Sequence, residues 1–281
     1  MFYKKLDNGS VRCFLCPHGC TLQPGNTGAC RARKNVDGQL YSLNYANVAS
    51  IALDPVEKKP LYHFHPGKLI LSVGTFGCNF KCSFCQNWTI AHRDARTMKL
   101  EPAELADLAV EYAAKGNIGI AYTYNEPSIW YEYVLESAKL VKEKGLANVL
   151  VTNGFIGKEP LEQLLPYIDA MNIDVKAFTE DFYKKYCKGS LEAVMRTVER
   201  SAGSCHVEIT TLVIPGLNDS PDEIGKLAKW ISSIDPDIVL HLSRFFPNYQ
   251  MTDIPPTPAD TLEKAQKSAQ AYLKYVYLGN I

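Results

Sequence analysis

From residue 68 onward the chain alternates short runs rich in Val, Ile and Leu with longer stretches whose apolar residues recur at helical spacing. The runs fall at 68–73, 118–124, 148–152, 168–175, 207–214 and 238–242. Each is nearly continuous in apolar character, as expected of strands buried on both faces. Between them Leu105, Leu108, Ala109 and Tyr112 mark one helix face, Trp130, Val134, Ala138 and Val141 a second, and Ile224, Leu227, Ala228 and Ile231 a third. Helix starts are signalled by Glu101-Pro102, by Ser220-Pro221-Asp222-Glu223, which has capping-box spacing, and by Thr257-Pro258, while Gly116 stops the first helix. Six strand–helix units predict an α/β fold with a parallel sheet. Six is two short of a closed eightfold barrel, so an open, partial (β/α)6 TIM-like barrel is expected over residues 65–281.

Residues 1–64 lack that alternation. They carry four cysteines, glycine turns and a stretch through 40–53 that reads as a hairpin, and so predict a small cysteine-rich accessory domain. The 281 residues, 46% of them hydrophobic, suffice for one large core with such an appendage. Lys and Arg number 30 and Asp and Glu 30, so no net field draws the chain to nucleic acid or to an anionic membrane. No apolar run approaches the ~20 residues of a membrane span, and the first residues lack the apolar stretch of a signal peptide. A cytoplasmic protein is expected. Nine cysteines is an odd count, and seven of them fall in two short stretches, which points to metal rather than cross-links.

The sharpest feature follows the first barrel strand: Gly77-Cys78-Asn79-Phe80-Lys81-Cys82-Ser83-Phe84-Cys85, a C-x3-C-x2-C spacing. Cubane iron–sulfur clusters normally take four thiolates, so three with no obvious fourth leave one iron open to another ligand. Buried or zinc-binding cysteines are the other reading. Phe80 and Phe84 can shield a cluster from water. The strands that follow end in polar residues, where barrel folds place ligands. Glu126 reads either as a ligand-binding carboxylate or as a first-turn helix residue. Asn153 lies in a turn-forming Thr-Asn-Gly, and Asp174 and Lys176 share one face of an extended chain, as a binding pair or as a solvated ion pair. Asn218 reads as a group reaching into the site or satisfying its own backbone, and His241 more as a satisfied core histidine than as a participant.

The triplet after a first barrel strand resembles the signature of the radical S-adenosylmethionine superfamily. That resemblance implies a [4Fe–4S] cluster on Cys78, Cys82 and Cys85, chelated at its free iron by S-adenosylmethionine. Reduction then cleaves the sulfonium to methionine and a 5′-deoxyadenosyl radical. Glu126 is similar in position to the glutamate that meets the methionine amino group. Thr152-Asn153-Gly154 and Asn172-Ile173-Asp174-Val175-Lys176 resemble segments of glycyl-radical activating enzymes, which implies that Asn153 lies near the cofactor and that Asp174 and Lys176 bind its ribose and carboxylate. Phe84, inside the cysteine loop, is counted with these cofactor-binding residues. No catalytic residue beyond them is named.

The second cysteine group, Cys13, Cys16, Cys20 and Cys30 with His18, has a spacing that suits either zinc or an auxiliary iron–sulfur cluster. Cys187 and Cys205 read as structural. The Cys16-Pro17-His18-Gly19-Cys20 segment, Lys59 to Phe64, Cys85-Gln86-Asn87-Trp88 and Tyr275 to Asn280 together resemble the AmmeMemoRadiSam enzymes, relatives of pyruvate formate-lyase activating enzyme. This implies an electron donor such as flavodoxin or ferredoxin, a protein, peptide or small-molecule substrate, and partners encoded by neighbouring genes. An iron–sulfur electron carrier without radical chemistry and a zinc-stabilised binding module are the competing functions.

Overall fold

The computed structural model describes residues 1–281. Eight strands form one sheet in chain order: β1 (Ser50–Pro55), β2 (Leu69–Gly74), β3 (Asn117–Tyr122), β4 (Ala147–Thr152), β5 (Ala170–Asp174), β6 (His206–Val213), β7 (Val239–Arg244) and β8 (Val276–Gly279). β2 to β8 run parallel, and β1 pairs antiparallel with β2. All six expected strands are present, and the sheet adds one strand at each edge. Because β1 and β8 do not pair, the barrel stays open.

Helices α1 (Pro102–Glu111), α2 (Tyr131–Glu143), α3 (Lys158–Leu164), α4 (Leu191–Ala202), α5 (Pro221–Ile234) and α6 (Ala259–Gln270) cross between the parallel strands. α5 buries Ile224, Leu227, Ala228 and Ile231, and α2 buries Val134, Ala138 and Val141, the faces read from periodicity. The capping box, however, sits elsewhere than expected. It forms at α1, where the Glu101 backbone N–H donates to the Glu104 carboxylate at 2.7 Å and the Glu101 side chain accepts in return. At α5 the Ser220 side chain caps nothing, because Glu223 instead accepts the backbone N–H of Phe178 at 2.8 Å, a donor beyond β5 that needs a partner.

The hairpin expected through 40–53 is also displaced. Arg33–Val36 pairs with Gln39–Ser42 across Asp37-Gly38, whose φ values of 49° and 80° suit a tight hairpin turn. The run at 50–55 leaves that hairpin for the main sheet, where β2 offers a six-residue partner. A three-stranded antiparallel patch (Tyr3–Lys5, Val11–Cys13, Thr21–Leu22) completes the amino-terminal region. Val11, Leu15, Leu22 and Leu40 join the same apolar core as the barrel, so both sheet and core run across the division expected at residue 64. Buried Arg33 fastens the region to the barrel, 2.6 Å from Glu132 and donating to the Ile129 carbonyl at 3.1 Å.

The segment after β1 closes one end of the barrel. Val56 and Leu61 pack on Ile70, Ala121, Val149 and Ala170, Asn172 donates to the Pro60 carbonyl, and Glu208 near the start of β6 accepts the N–H groups of Tyr62 and His63. The carboxyl ends of the strands remain open. No helix is long and apolar enough to cross a membrane.

Candidate functional site

A cavity of about 550 Å³ lies over the strand ends. Cys78, Cys82, Cys85, Phe84, Glu126, Asn153, Asp174 and Lys176, eight residues scattered over a hundred positions of sequence, all line it. The loop that carries the thiols is held by its backbone. Gly77 has φ 88°, and a Cβ there would lie 2.4 Å from the Cys30 carbonyl oxygen, so only glycine fits where the two cysteine regions touch. Asn125 accepts from the Thr75 N–H and donates to the Gly77 carbonyl, while the Lys81 N–H donates to the Cys187 carbonyl. No three Cys, His, Asp or Glu side chains gather as tightly as one metal ion needs. Thiolates on a single zinc stand about 3.8 Å apart, from Zn–S bonds of about 2.3 Å in a tetrahedron.

Burial and the nearby Glu126 carboxylate push the Cys78 thiol well up, burial raises Cys85 to about 11, and the neighbouring Cys187 thiol together with burial raises Cys82. Cys187, which reads as structural from sequence, therefore sits against the cysteine loop. Phe80 is buried among Phe155 and Tyr183, and Phe84 packs on Phe182, so aromatic rings flank the thiols. Cys205 lies away from both cysteine groups, bonded to the Ser201 carbonyl.

Glu126 is 1% exposed and lines the cavity. It caps the turn Pro127–Trp130 by accepting the Ser128 N–H at 2.9 Å, and it also accepts Thr152 Oγ1 and the Asn153 N–H, each at 2.7 Å. Burial raises its pKa against those three donors. Asn153 stitches the site together: its side-chain amide donates to Asn79 Oδ1 at 2.8 Å and points at Cys78 Sγ from 3.7 Å. Lys176 pairs with Asp174 at 2.8 Å, both side chains largely buried. Burial alone would lower the lysine, but Asp174 and the thiols of Cys82 and Cys187 outweigh it and hold the ammonium charged. Asn218 faces away from the cavity, bonding the Lys176 and Leu212 carbonyls and the Ile214 N–H.

Burial raises the thiols of Cys13, Cys16 and Cys30, Cys16 up to about 12, and the neighbouring amino-terminal thiols, Cys20 among them, add a smaller push in the same direction. His18 is turned from them, its Nε2 2.7 Å from the Asn79 carbonyl oxygen, so it bridges the two cysteine regions. Sequence reading missed three cavity residues, Lys59, Tyr124 and His241. Lys59, 3% exposed, pairs with Asp54 at 2.8 Å beneath Tyr124, whose hydroxyl also donates to Asp54. The third is His241, expected in the core, which is buried yet lines the cavity with Glu208 behind it. A lone acid in the middle of an apolar strand run was the available signal for that pair.

The model of the Radical SAM superfamily matches residues 72–231. The chain belongs to that superfamily. It is 43% identical over 287 residues to an uncharacterized protein of Methanocaldococcus jannaschii, an alignment spanning all of this chain and 84% of that one. To the pyruvate formate-lyase-activating enzyme of Clostridium pasteurianum it is 27% identical over 164 residues, 56% of this chain and 67% of the other. Among solved structures, SuiB of Streptococcus suis bound to S-adenosylmethionine aligns with TM-score 0.59 at 14% identity over 75% of this chain and 51% of that one. A domain of pyruvate-formate lyase-activating enzyme from Bacteroides vulgatus aligns with TM-score 0.52 at 16% identity over 58% and 99%. These structures share the partial-barrel fold. As a radical SAM protein the chain is an enzyme whose cofactors are a [4Fe–4S] cluster and S-adenosylmethionine.

Proposed function

We propose that this enzyme is of the glycyl-radical-activating type, akin to the AmmeMemoRadiSam group, and that it abstracts a hydrogen atom from a peptide, protein or small-molecule substrate. The observation that carries the reading is the meeting of three thiols of one loop with Glu126, Asp174 and Lys176 around a single cavity. When bound, the cluster and S-adenosylmethionine supply one-electron cleavage of the sulfonium, giving methionine and a 5′-deoxyadenosyl radical.

The donor set fits both groups. Cys78, Cys82 and Cys85 would hold three irons, which leaves the fourth for an outside chelator. S-adenosylmethionine carries an ammonium, a carboxylate and ribose hydroxyls. Glu126 offers a carboxylate to the first, Lys176 an ammonium kept charged by Asp174 to the second, and Asp174 an acceptor to the third. Asn153 steadies the loop through Asn79, and Phe84 keeps water from the thiols. Flavodoxin or ferredoxin would supply the electron, and products of neighbouring genes are candidate partners. Cys13, Cys16, Cys20 and Cys30 would hold a second metal group, an auxiliary cluster or a zinc ion, the latter requiring the thiols to draw closer than they stand.

Anaerobically reconstituted protein tests this reading. The electron paramagnetic resonance signal of the reduced cluster should change on adding S-adenosylmethionine, and 5′-deoxyadenosine should form. Cys82→Ala should abolish 5′-deoxyadenosine, whereas Cys16→Ala should chiefly lower stability. A signal indifferent to S-adenosylmethionine would leave an electron carrier, and zinc without iron or sulfide would leave a binding module.

A further inference from the structure

Glu208 lies within β6 with no exposure, and its carboxylate meets four groups: the Tyr62 N–H at 3.0 Å, the His63 N–H at 2.7 Å, His206 Nε2 at 2.9 Å and His241 Nε2 at 2.6 Å. Burial opposes its charge, but the histidine and backbone donors prevail and hold the carboxyl at about 2. An ionised carboxylate only accepts, and four donors fill its lone-pair sites. Both imidazoles must therefore present N–H at Nε2. In the neutral ring of His241 that leaves Nδ1 with a free lone pair. Nδ1 has no protein partner and is not sealed by packing, and His241 lines the cavity between Tyr62, edge-on at 4.7 Å, and Tyr277, stacked at 5.9 Å.

The chemistry that would meet this acceptor follows from its surroundings. Every carboxylate around the cavity is already engaged: Glu126 by three donors, Asp174 by Lys176, Asp54 by Lys59 and Tyr124, and Glu57 by the Gly67 N–H. Lys59, paired with Asp54, also lines the cavity. With Glu126 and Asp174 assigned to the cofactor and Asp54 and Glu57 paired within the fold, no carboxylate is left for a cationic substrate, so a neutral donor suits the site, and the simplest is a hydroxyl. His241 also lies two strands from Asp174, about 10 Å along the sheet, so this position is separate from the one we assign to the cofactor ribose.

We propose that His241, oriented by Glu208, accepts a hydrogen bond from a hydroxyl of the substrate, and that the substrate is accordingly a hydroxyl-bearing molecule or residue. The inference rests on the proposed radical chemistry taking place on a substrate held in this cavity. Glu208 is a positioning residue in it.

The test is a long-range proton–nitrogen NMR spectrum of the full, cluster-reconstituted chain labelled with 15N-histidine, with His241→Gln used to assign the signals. His241 should be protonated at Nε2 and bare at Nδ1, and millimolar phenol should shift the Nδ1 resonance upfield. Benzylammonium, the same ring with a cationic head, should not. An Nδ1–H tautomer, an Nδ1 signal unmoved by phenol, or an equal response to benzylammonium would overturn the proposal. Glu208→Gln should mix the two tautomers, and a folded variant that keeps one tautomer would remove Glu208 from it. If that variant does not fold, the wild-type spectrum decides alone. S-adenosylmethionine cleavage by the same sample reads the parent proposal separately: its absence beside the expected tautomer sinks the radical reading, and its presence beside Nδ1–H sinks only this one.

Discussion

At the scale of single residues, the buried carboxylates set how the protein responds to acid. Glu208 is held at about 2 against an ordinary 4.5, and Asp54, despite burial, at about 2 against 3.8 by Lys59. A lowered carboxyl contributes stability above its ordinary value and loses it as the pH falls through the folded one. Stability should therefore decline between about pH 4.5 and 2, and Glu208 alone should contribute about 3 kcal/mol to that decline at 1.36 kcal/mol per pH unit. Glu126 runs the other way, because burial raises it and acid relieves the strain of its ionisation. Urea unfolding across this range checks the prediction, and Glu208→Gln should flatten the curve. Of these residues the cysteines were readable in sequence, since three ligands on one short loop need no partner from afar. Glu208 and His241 were not, because their meeting depends on the pairing of β6 with β7.

At the scale of elements, chain ends and turns carry the predictions. Glu101→Ala removes a working capping box from α1 and should lower stability by about 1 kcal/mol. Ser220→Ala, at the site where sequence spacing points to the same motif, should change it by less than about 0.5 kcal/mol, because that hydroxyl caps nothing. Thermal unfolding of the two variants side by side separates them. The six long strands were readable because burial on both faces demands unbroken apolar runs. β8, with only four residues, and β1, whose partner follows in the next segment, carry too little pattern of their own.

At the scale of the whole molecule, the amino-terminal region is fastened to the barrel by β1, by the plug through Pro60 to His63 and by Arg33. Heat should accordingly unfold the full chain in one transition with equal calorimetric and van't Hoff enthalpies, and a chain of residues 65–281 should fail to give a stable fold. Two resolved transitions would restore the division expected at residue 64.

Local chemistry and periodicity suffice for the parallel strand–helix series, the cysteine triplet and the family they resemble, since all of these are properties of neighbours along the chain. Where the accessory region ends, which helix is capped and what stands behind His241 depend on partners brought together by pairing and burial. Their energies come from contacts between residues distant in sequence, which no local spacing records.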